Sequence, residues 1–204
     1  MELDHLAVSG ETLEEAAAHI EEALGVTLQE GGRHALFSTH NRLLGLADGL
    51  YLEAIAADPA APAPSRPRWF GLDDFAGVAR LTNWVIRTGA LDERLAELPR
   101  GTGEPVSITR GDLAWRMAVP ADGRLPYDGV FPALIEWQGP AHPAQRLAPS
   151  GCRLLRLVIA HPDAASLAEL MNGHITDPRV VVESGPMPEL MAEFDTPHGR
   201  RSLQ

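Results

Sequence analysis

The chain has 204 residues, 45% hydrophobic and 22% charged, which is the composition of an ordinary globular protein large enough to bury a core. Its formal net charge of −11 argues against a nucleic-acid-binding surface, because such a surface needs concentrated positive charge. All 17 basic residues are arginine, which excludes a Schiff-base lysine and a phosphate-loop lysine.

Targeting and redox features favour the cytoplasm. No apolar run approaches the ~20 residues of a membrane span. The N-terminus lacks the basic start and following apolar block that are typical of a signal peptide, so we expect none. Cys152 is the only cysteine, which excludes an internal disulfide, and we interpret it as a structural residue. We therefore expect a cytoplasmic protein that binds neither a membrane nor nucleic acid.

Residues 1–57 show the pattern of a strand, a helix and three strands. LDHLAV is a short strand, and SGETLEEAAAHIEEALG is a helix with apolar residues at helical spacing. Thr12 and Glu15 are placed to form a capping box at the start of this helix. Three strands separated by glycine-containing turns complete the segment. They are predicted near residues 34–38, 41–47 and 50–56.

The same order of elements recurs after a linker. Residues 58–78 begin with an alanine- and proline-rich stretch that is stiff and extended. In residues 79–139, ARLTNWVIRT is a strand, ALDERLAELP is a short helix, and GEPVSITR, DLAWRMAVP and VFPALIEWQG are strands. Two segments with the same element order predict a duplicated βαβββ module.

Residues 140–204 depart from this repeat. CRLLRLVIAHPD is a strand, ASLAELMNG is a helix, and PRVVVES and MPELMAEFDTPHG are two further strands. We expect this partial third unit to pack on the duplicated core within a single domain, because the connector before it is short. The predicted fold class is α+β, with two βαβββ modules and a strand-helix-strand-strand unit after them.

The first strand carries a histidine at its centre. If its faces alternate, His5 shares a face with Leu3 and Ala7, and Asp4 lies on the opposite face. By itself, such a histidine is either satisfied by an ordinary hydrogen bond or a metal ligand. Aligning the two modules by eye places Asn83 where His5 lies.

Two glutamates occupy related positions in the fourth strands of the modules. Glu53 in YLEAIAA and Glu136 in LIEWQ are each flanked by apolar residues, and a buried carboxylate needs a partner. That partner could be a metal ion, an arginine or a proton that the two carboxylates share.

Several stretches in order give the chain a family resemblance. They are LDHLAV, GGRHALFSTHNRLLGLADGLYLEAIAADP, RWFGLD, FPALIEW with the HPA after it, and LRLVIAHPDA. Together with the duplicated βαβββ pattern, this set resembles the glyoxalase-like domain group of the vicinal oxygen chelate superfamily, which includes glyoxalases, bleomycin resistance proteins and extradiol dioxygenases. The resemblance covers essentially the whole chain. It implies that the two βαβββ modules pair in one curved, cup-shaped mixed sheet around a divalent metal ion.

The resemblance also implies a ligand set. The metal ligands would be His5, Glu53 and Glu136, and the ion would be Zn, Mn, Fe, Co or Ni. Asn83 departs from the pattern, because a carboxamide is a weak ligand where many members have histidine or glutamine. A three-ligand site with open positions still suits catalysis.

The implied activity is metal-dependent isomerase or lyase chemistry on a small substrate with adjacent oxygens. Glu136 would take a proton next to a carbonyl that the metal polarises. His40 and Asn41 at the rim of the cup, together with Asn83, would contact substrate. Ring-opening dioxygenation is less favoured, since Asn83 replaces a second histidine.

Other interpretations stay open. The cup could be a metal-free module that binds a small molecule, as in resistance proteins. Arg42 or Arg116 could hold a substrate carboxylate. Trp84 and Trp137 each follow a site position directly, so we expect both to face away from the site. The superfamily also implies a homodimer, unless the C-terminal unit covers the edge that would pair.

Overall fold

The strands of the two modules form one curled sheet in a computed structural model that describes residues 1–204. The first module contains β1 (Glu2–Ser9), α1 (Leu13–Leu24), β2 (Gln29–His34), β3 (Thr39–Gly45) and β4 (Tyr51–Ala57). The second contains β5 (Arg80–Arg87), α2 (Leu91–Glu97), β6 (Glu104–Arg110), β7 (Leu113–Val119) and β8 (Ala133–Trp137). Both modules therefore have the predicted βαβββ order.

The sheet order shows how the modules pair. The eight strands run β2-β3-β4-β1-β5-β8-β7-β6, so the first strands of the two modules lie side by side at the centre. β1 is antiparallel to β5, with Leu6 opposite Trp84, whereas each fourth strand runs parallel to the first strand of its own module. This arrangement confirms the predicted cup of two paired modules.

Local sequence signals account for the helix α1. Thr12 accepts from the Glu15 backbone N–H and the Glu15 carboxylate accepts from the Thr12 N–H, which completes the predicted capping box. Gly25 ends the helix in a left-handed conformation (φ 71°) that costs glycine little.

The strand predicted at 34–38 lies earlier in the chain. β2 covers Gln29–His34, and the apolar stretch after it forms the turn into β3 with Phe37 fully buried. A glycine pair, Gly31 and Gly32, suggested a turn, but here it forms an irregularity within the β2–β3 ladder. Buried apolar residues in a turn resemble a strand in sequence.

The C-terminal unit forms a separate four-stranded sheet in the order β10-β9-β11-β12. It contains β9 (Arg153–His161), α3 (Ala164–Met171), β10 (Val180–Ser184), β11 (Glu189–Thr196) and β12 (Gly199–Leu203). β12 is one strand more than the sequence predicted.

One hydrophobic cluster of 33 buried residues joins the two sheets and α1, with Ile20, Leu52 and Phe194 among its members. A second cluster of 14 buried residues, including Phe37, Trp69 and Trp115, fills part of the cup. No helix is long and apolar enough to cross a membrane.

Candidate functional site

Polar side chains gather on the inner face of the cup, where the first module faces the second. Strand alternation puts Tyr51 and Glu53 of β4 and Asn41 of β3 on this face. With His5 and His34 they line a cavity of about 30 Å³. We call this the cup cavity.

A β-bulge in β1 brings Asp4 onto the same face as His5. The pairing of β1 with β5 shifts between Leu3 and His5, so the strict alternation that we expected fails there. Asp4 Oδ1 lies 2.6 Å from His5 Nδ1. Asp4 Oδ2 accepts from Trp137 Nε1 and lies 3.0 Å from His142 Nε2.

These partners keep Asp4 ionised. Burial raises the pKa of Asp4, but hydrogen bonds from His142 and His5 outweigh burial and hold the pKa of this carboxyl well below its usual range. An ionised carboxylate only accepts hydrogen bonds, so the proton of a neutral His5 resides on Nδ1. In that neutral form, Nε2 carries the lone pair on the side of the cup cavity.

Glu53 faces Nε2 of His5. His5 Nε2 and Glu53 Oε2 lie 3.7 Å apart, and both residues are at most 5% exposed. The imidazole stacks on Tyr51, with ring centroids 4.3 Å apart and planes inclined by 15°. Burial and the nearby carboxylates of Asp4 and Glu53 raise the pKa of Tyr51 well above its usual range. Tyr51 is therefore a neutral phenol beside the pair.

The orientation of the Asn41 carboxamide follows from its contacts. Asn41 Oδ1 accepts from the Gly32 backbone N–H at 2.7 Å, so its Nδ2 is left to donate to Glu53 Oε1 at 2.5 Å. A Cβ on Gly31 would lie 2.1 Å from Asn41 Oδ1. The glycine pair of β2 thus makes room for the side chain that holds Glu53.

Arg110, at the end of β6, reaches into the cup from the second module. Its NH1 donates to His34 Nε2 at 3.1 Å and to Asn41 Oδ1 at 3.3 Å. It forms no ion pair with a carboxylate within 4.0 Å. Because a guanidinium cannot accept, His34 Nε2 is the acceptor and His34 Nδ1 donates to Thr39 Oγ1.

The surroundings keep His34 neutral. Burial lowers the pKa of His34 to about 3, and the positive charge of Arg110 contributes to the shift. The cup cavity therefore holds one half-buried cation, Arg110, which has no acidic partner of its own.

Glu136 does not join this group, because it lies on the opposite face of β8. Its neighbours Ile135 and Trp137 line the cup cavity, so Glu136 points toward α2. There its carboxylate accepts from Arg116 at 3.0 Å and from the Leu91 backbone N–H at 3.2 Å. The alignment of the two halves by eye was one position out of register here.

Trp137 is therefore a wall of the cavity, and the expectation that it faces away was wrong. Trp84 does face away: it is fully buried in the main core, and its Nε1 donates to the Val130 carbonyl.

Two other predicted contacts lie elsewhere. His40 is on the α1 side of β3, next to Arg42, which reaches Glu14 of α1 at 3.8 Å. Asn83 lines a separate groove at the start of β5. Of the predicted substrate residues, only Asn41 lines the cup cavity.

The expected metal-ligand set is not assembled. No group of three or more histidine, cysteine, aspartate or glutamate side chains could hold a metal ion. His5 and Glu53 approach each other, but Glu136 lies behind the sheet. Catalytic zinc sites use three protein ligands, so these residues do not fit such a site.

Several residues of the cup cavity were missed from the sequence. Asp4 was placed on the wrong face because a bulge cannot be read from alternation. Arg110 sits in the ordinary hairpin sequence SITRGDLAW, and nothing local distinguishes it from a surface arginine. The glycine pair Gly31-Gly32 was the one local signal, since glycine inside a strand indicates close approach of another group.

Comparisons with known proteins address the fold and the family. The chain superposes on the crystal structure of a hypothetical protein from Staphylococcus aureus with a TM-score of 0.63 and 13% identity, covering 92% of this chain and 88% of that one. It matches methylmalonyl-CoA epimerase from Mycobacterium tuberculosis with a TM-score of 0.44 and 18% identity, covering 67% of this chain and 88% of that one. No curated protein matches the chain in sequence.

The model of one protein family, described as a glyoxalase-like domain, matches residues 3–174. This match spans most of the chain and confirms the resemblance seen in the sequence. The chain belongs to the glyoxalase-like domain family.

Proposed function

We propose that this chain is an enzyme that removes and returns a proton next to a carbonyl group of a small anionic substrate. The observation that carries the proposal is the buried pair of His5 and Glu53, with Asp4 behind the imidazole. Two adjoining groups that can each hold a proton are suited to isomerisation or epimerisation, where a proton leaves and returns.

In this proposal Glu53 takes the proton from the substrate and His5 accepts it from Glu53. Asn41 holds one Glu53 oxygen by its hydrogen bond, which leaves Oε2 facing His5 Nε2. A carboxylate that takes a substrate proton can pass it to the imidazole lone pair. Asp4 then stabilises the imidazolium that forms, since it is an ionised carboxylate at Nδ1.

Arg110 would bind the anionic part of the substrate. A guanidinium pairs with a carboxylate through two parallel hydrogen bonds, and Arg110 has no carboxylate partner in the protein. It would also stabilise the negative oxygen that develops when a proton leaves the neighbouring carbon.

Substrate entry requires movement of the cavity wall, because about 30 Å³ is far less than the volume of a ligand pocket. Trp69 and Phe70 line the cup cavity from the segment between the modules. Phe70 has a left-handed backbone (φ 60°), which is strained for an aromatic residue. This segment is the part of the wall that we expect to open.

A metal-free binding role for the same cup is the second candidate. The observation that favours it is the dense hydrogen bonding of Asp4, Asn41 and His34, which also suits a rigid recognition surface. Such a protein would bind an anion through Arg110 without exchanging its protons.

Solvent-deuterium exchange tests the proposal without knowledge of the product. The protein would be incubated in D₂O with pyruvate, with 2-oxobutyrate and with the neutral ketone butanone, and loss of the proton signal next to the carbonyl followed by NMR. We expect exchange of an acid above the uncatalysed rate in the presence of a chelator, and little exchange of butanone.

The decisive variant is His5→Phe, which keeps a ring against Tyr51. It should lose most of the exchange, whereas His19→Phe on α1, outside the cup cavity, should not. Binding of an acid without exchange would support the second candidate. Exchange that requires added Zn, Mn, Fe, Co or Ni would restore the metal-dependent interpretation and overturn the present one.

A further inference from the structure

A groove of about 680 Å³ lies outside the cup cavity. It is lined by the start of β5, the segment 70–75, the loop 124–130 and residues 188–190 at the start of β11. This volume is within the range of pockets that bind small organic molecules. The groove contains none of His5, Glu53 or Arg110.

Asn83 is the feature of this groove that lacks an explanation within the protein. The residue is 2% exposed, and its Oδ1 is buried without a hydrogen-bond partner. Asn41, the other buried asparagine, has protein partners at both ends of its carboxamide. Buried polar groups are nearly always paired, so an unpaired amide in a groove wall indicates that a ligand supplies the partner.

The two arginines of the groove already have partners, and its carboxylate Glu189 is exposed to solvent. Arg124 donates to Asp74 at 2.6 Å. Arg80 lies over the Phe75 ring at 4.3 Å and donates to the Ala76 carbonyl at 3.1 Å. Among the groove residues, the buried group left unsatisfied is therefore the neutral amide of Asn83, which favours a ligand without a full charge.

Aromatic and aliphatic side chains form another part of the wall. Phe70, Phe75 and Tyr127 line the groove together with Leu125 and Leu190. The backbones of Phe70 and Tyr127 are left-handed, with φ of 60° and 54°. Strained backbone that presents aromatic rings to a cavity is a feature of ligand sites.

We propose that this groove is a second binding site, for a neutral aromatic molecule that carries an amide or a similar pair of hydrogen-bonding groups. The ring would pack between Phe70, Phe75 and Tyr127, and the amide would pair with Asn83. The inference goes beyond the proposed function and does not depend on it, because the groove and the cup cavity share only Phe70 among their lining residues.

Benzamide is the probe for the test, with benzoate as its charged analogue. Protein-detected NMR on ¹⁵N-labelled protein would follow the Asn83 side-chain amide and the backbone of residues 124–130 during titration. We expect saturable shifts at these positions with benzamide and at least tenfold weaker binding of benzoate.

Asn83→Leu is the decisive variant, and Asn172→Leu at the exposed end of α3 is its matched control. Asn83→Leu should weaken benzamide binding about tenfold, the effect of losing paired hydrogen bonds. It should also keep or raise the melting temperature, since an unpaired buried amide is removed. Asn172→Leu should change neither.

Three results would overturn the proposal. They are the absence of shifts along the groove in the wild type, equal benzamide affinity in Asn83→Leu, and benzamide shifts confined to the cup cavity. His5→Phe separates this test from that of the proposed function, because it should remove most of the deuterium exchange and leave benzamide binding unchanged.

Discussion

The two modules share their topology but present different faces to the cup. In the first module, the inner positions of β4 carry Tyr51 and Glu53. In the second, the inner positions of β8 carry Ile135 and Trp137, and the one carboxylate of that strand points outward to Arg116. Their common βαβββ order therefore supports two different surfaces.

The two copies of the duplicated module supply different kinds of side chain to the cup. The first module supplies the polar side chains His5, Asn41 and Glu53, while the second supplies an apolar wall and the single cation Arg110. An apolar wall excludes water and strengthens the interactions of the polar half. The chemistry of the cup is thus one-sided, although its architecture is nearly symmetric.

Removing the carboxylate of the polar half should have the largest effect. Glu53→Gln keeps the size of the side chain but removes the base of the proposed reaction. We expect deuterium exchange to fall about 10²- to 10⁴-fold, the usual contribution of a general base. The exchange rate of pyruvate or 2-oxobutyrate measures this, and a rate within a few-fold of wild type would refute the assigned role.

Removing the cation of the apolar half should come next. Arg110→Met should raise the substrate concentration needed for half-maximal exchange by about tenfold or more, because a charge-assisted hydrogen-bonded pair is lost. Arg42→Met on the outer face of β3 is the matched control. If both variants behave like wild type, the anion is bound elsewhere.

The burial of His34 between the two halves should appear as a pH dependence of stability. The pKa of His34 is about 3 in the folded state against 6.5 for an exposed histidine, so only the unfolded state binds this proton between these values. The neutral His34 therefore contributes fully to the free energy of unfolding above pH 6.5. Between pH 6.5 and about 3, the free energy of unfolding falls by about 1.4 kcal/mol per pH unit as the pH decreases.

Urea unfolding between pH 6.5 and 4.5 measures this slope, above the range where Asp4 contributes. His34→Gln should flatten the dependence, while His19→Gln on the surface should not. A wild-type slope that survives His34→Gln would assign the pH dependence to another group.

The outward carboxylate of the second module should matter least. Glu136→Gln loses one ion pair, but Arg116 keeps Asp92 at 2.7 Å. We expect a loss of less than about 1 kcal/mol in the free energy of unfolding and an exchange rate within about twofold of wild type. If Glu136→Gln lowered the exchange rate as much as Glu53→Gln does, the second module would also supply a catalytic carboxylate, and the assigned difference between the modules would be wrong.

Sequence patterns predicted much of the fold because local order carries it. The βαβββ order and the capping box at Thr12 follow from periodicity and capping signals, whereas the pairing of the modules was implied by the family resemblance. β2 was misplaced because the buried turn residue Phe37 resembles a strand residue. The extra strand β12 was missed because GRRSL has only one buried apolar residue.

The candidate site was less predictable, for a different reason. In the first module, His5, Asn41 and Glu53 lie on the cup face, and their strand positions could be read from alternation. In the second, a shift of one residue was enough to exchange Glu136 for Trp137, since neighbouring residues of a strand point to opposite faces.

The sequence by itself determined the element order, the duplicated module and the family, because these depend on patterns along the chain. Only the tertiary structure decided which side chains share the cup. The bulge that turns Asp4 toward His5, the glycines that admit Asn41 and the reach of Arg110 all depend on contacts between distant segments. Register and strand pairing set those contacts, and neither is encoded in any one segment.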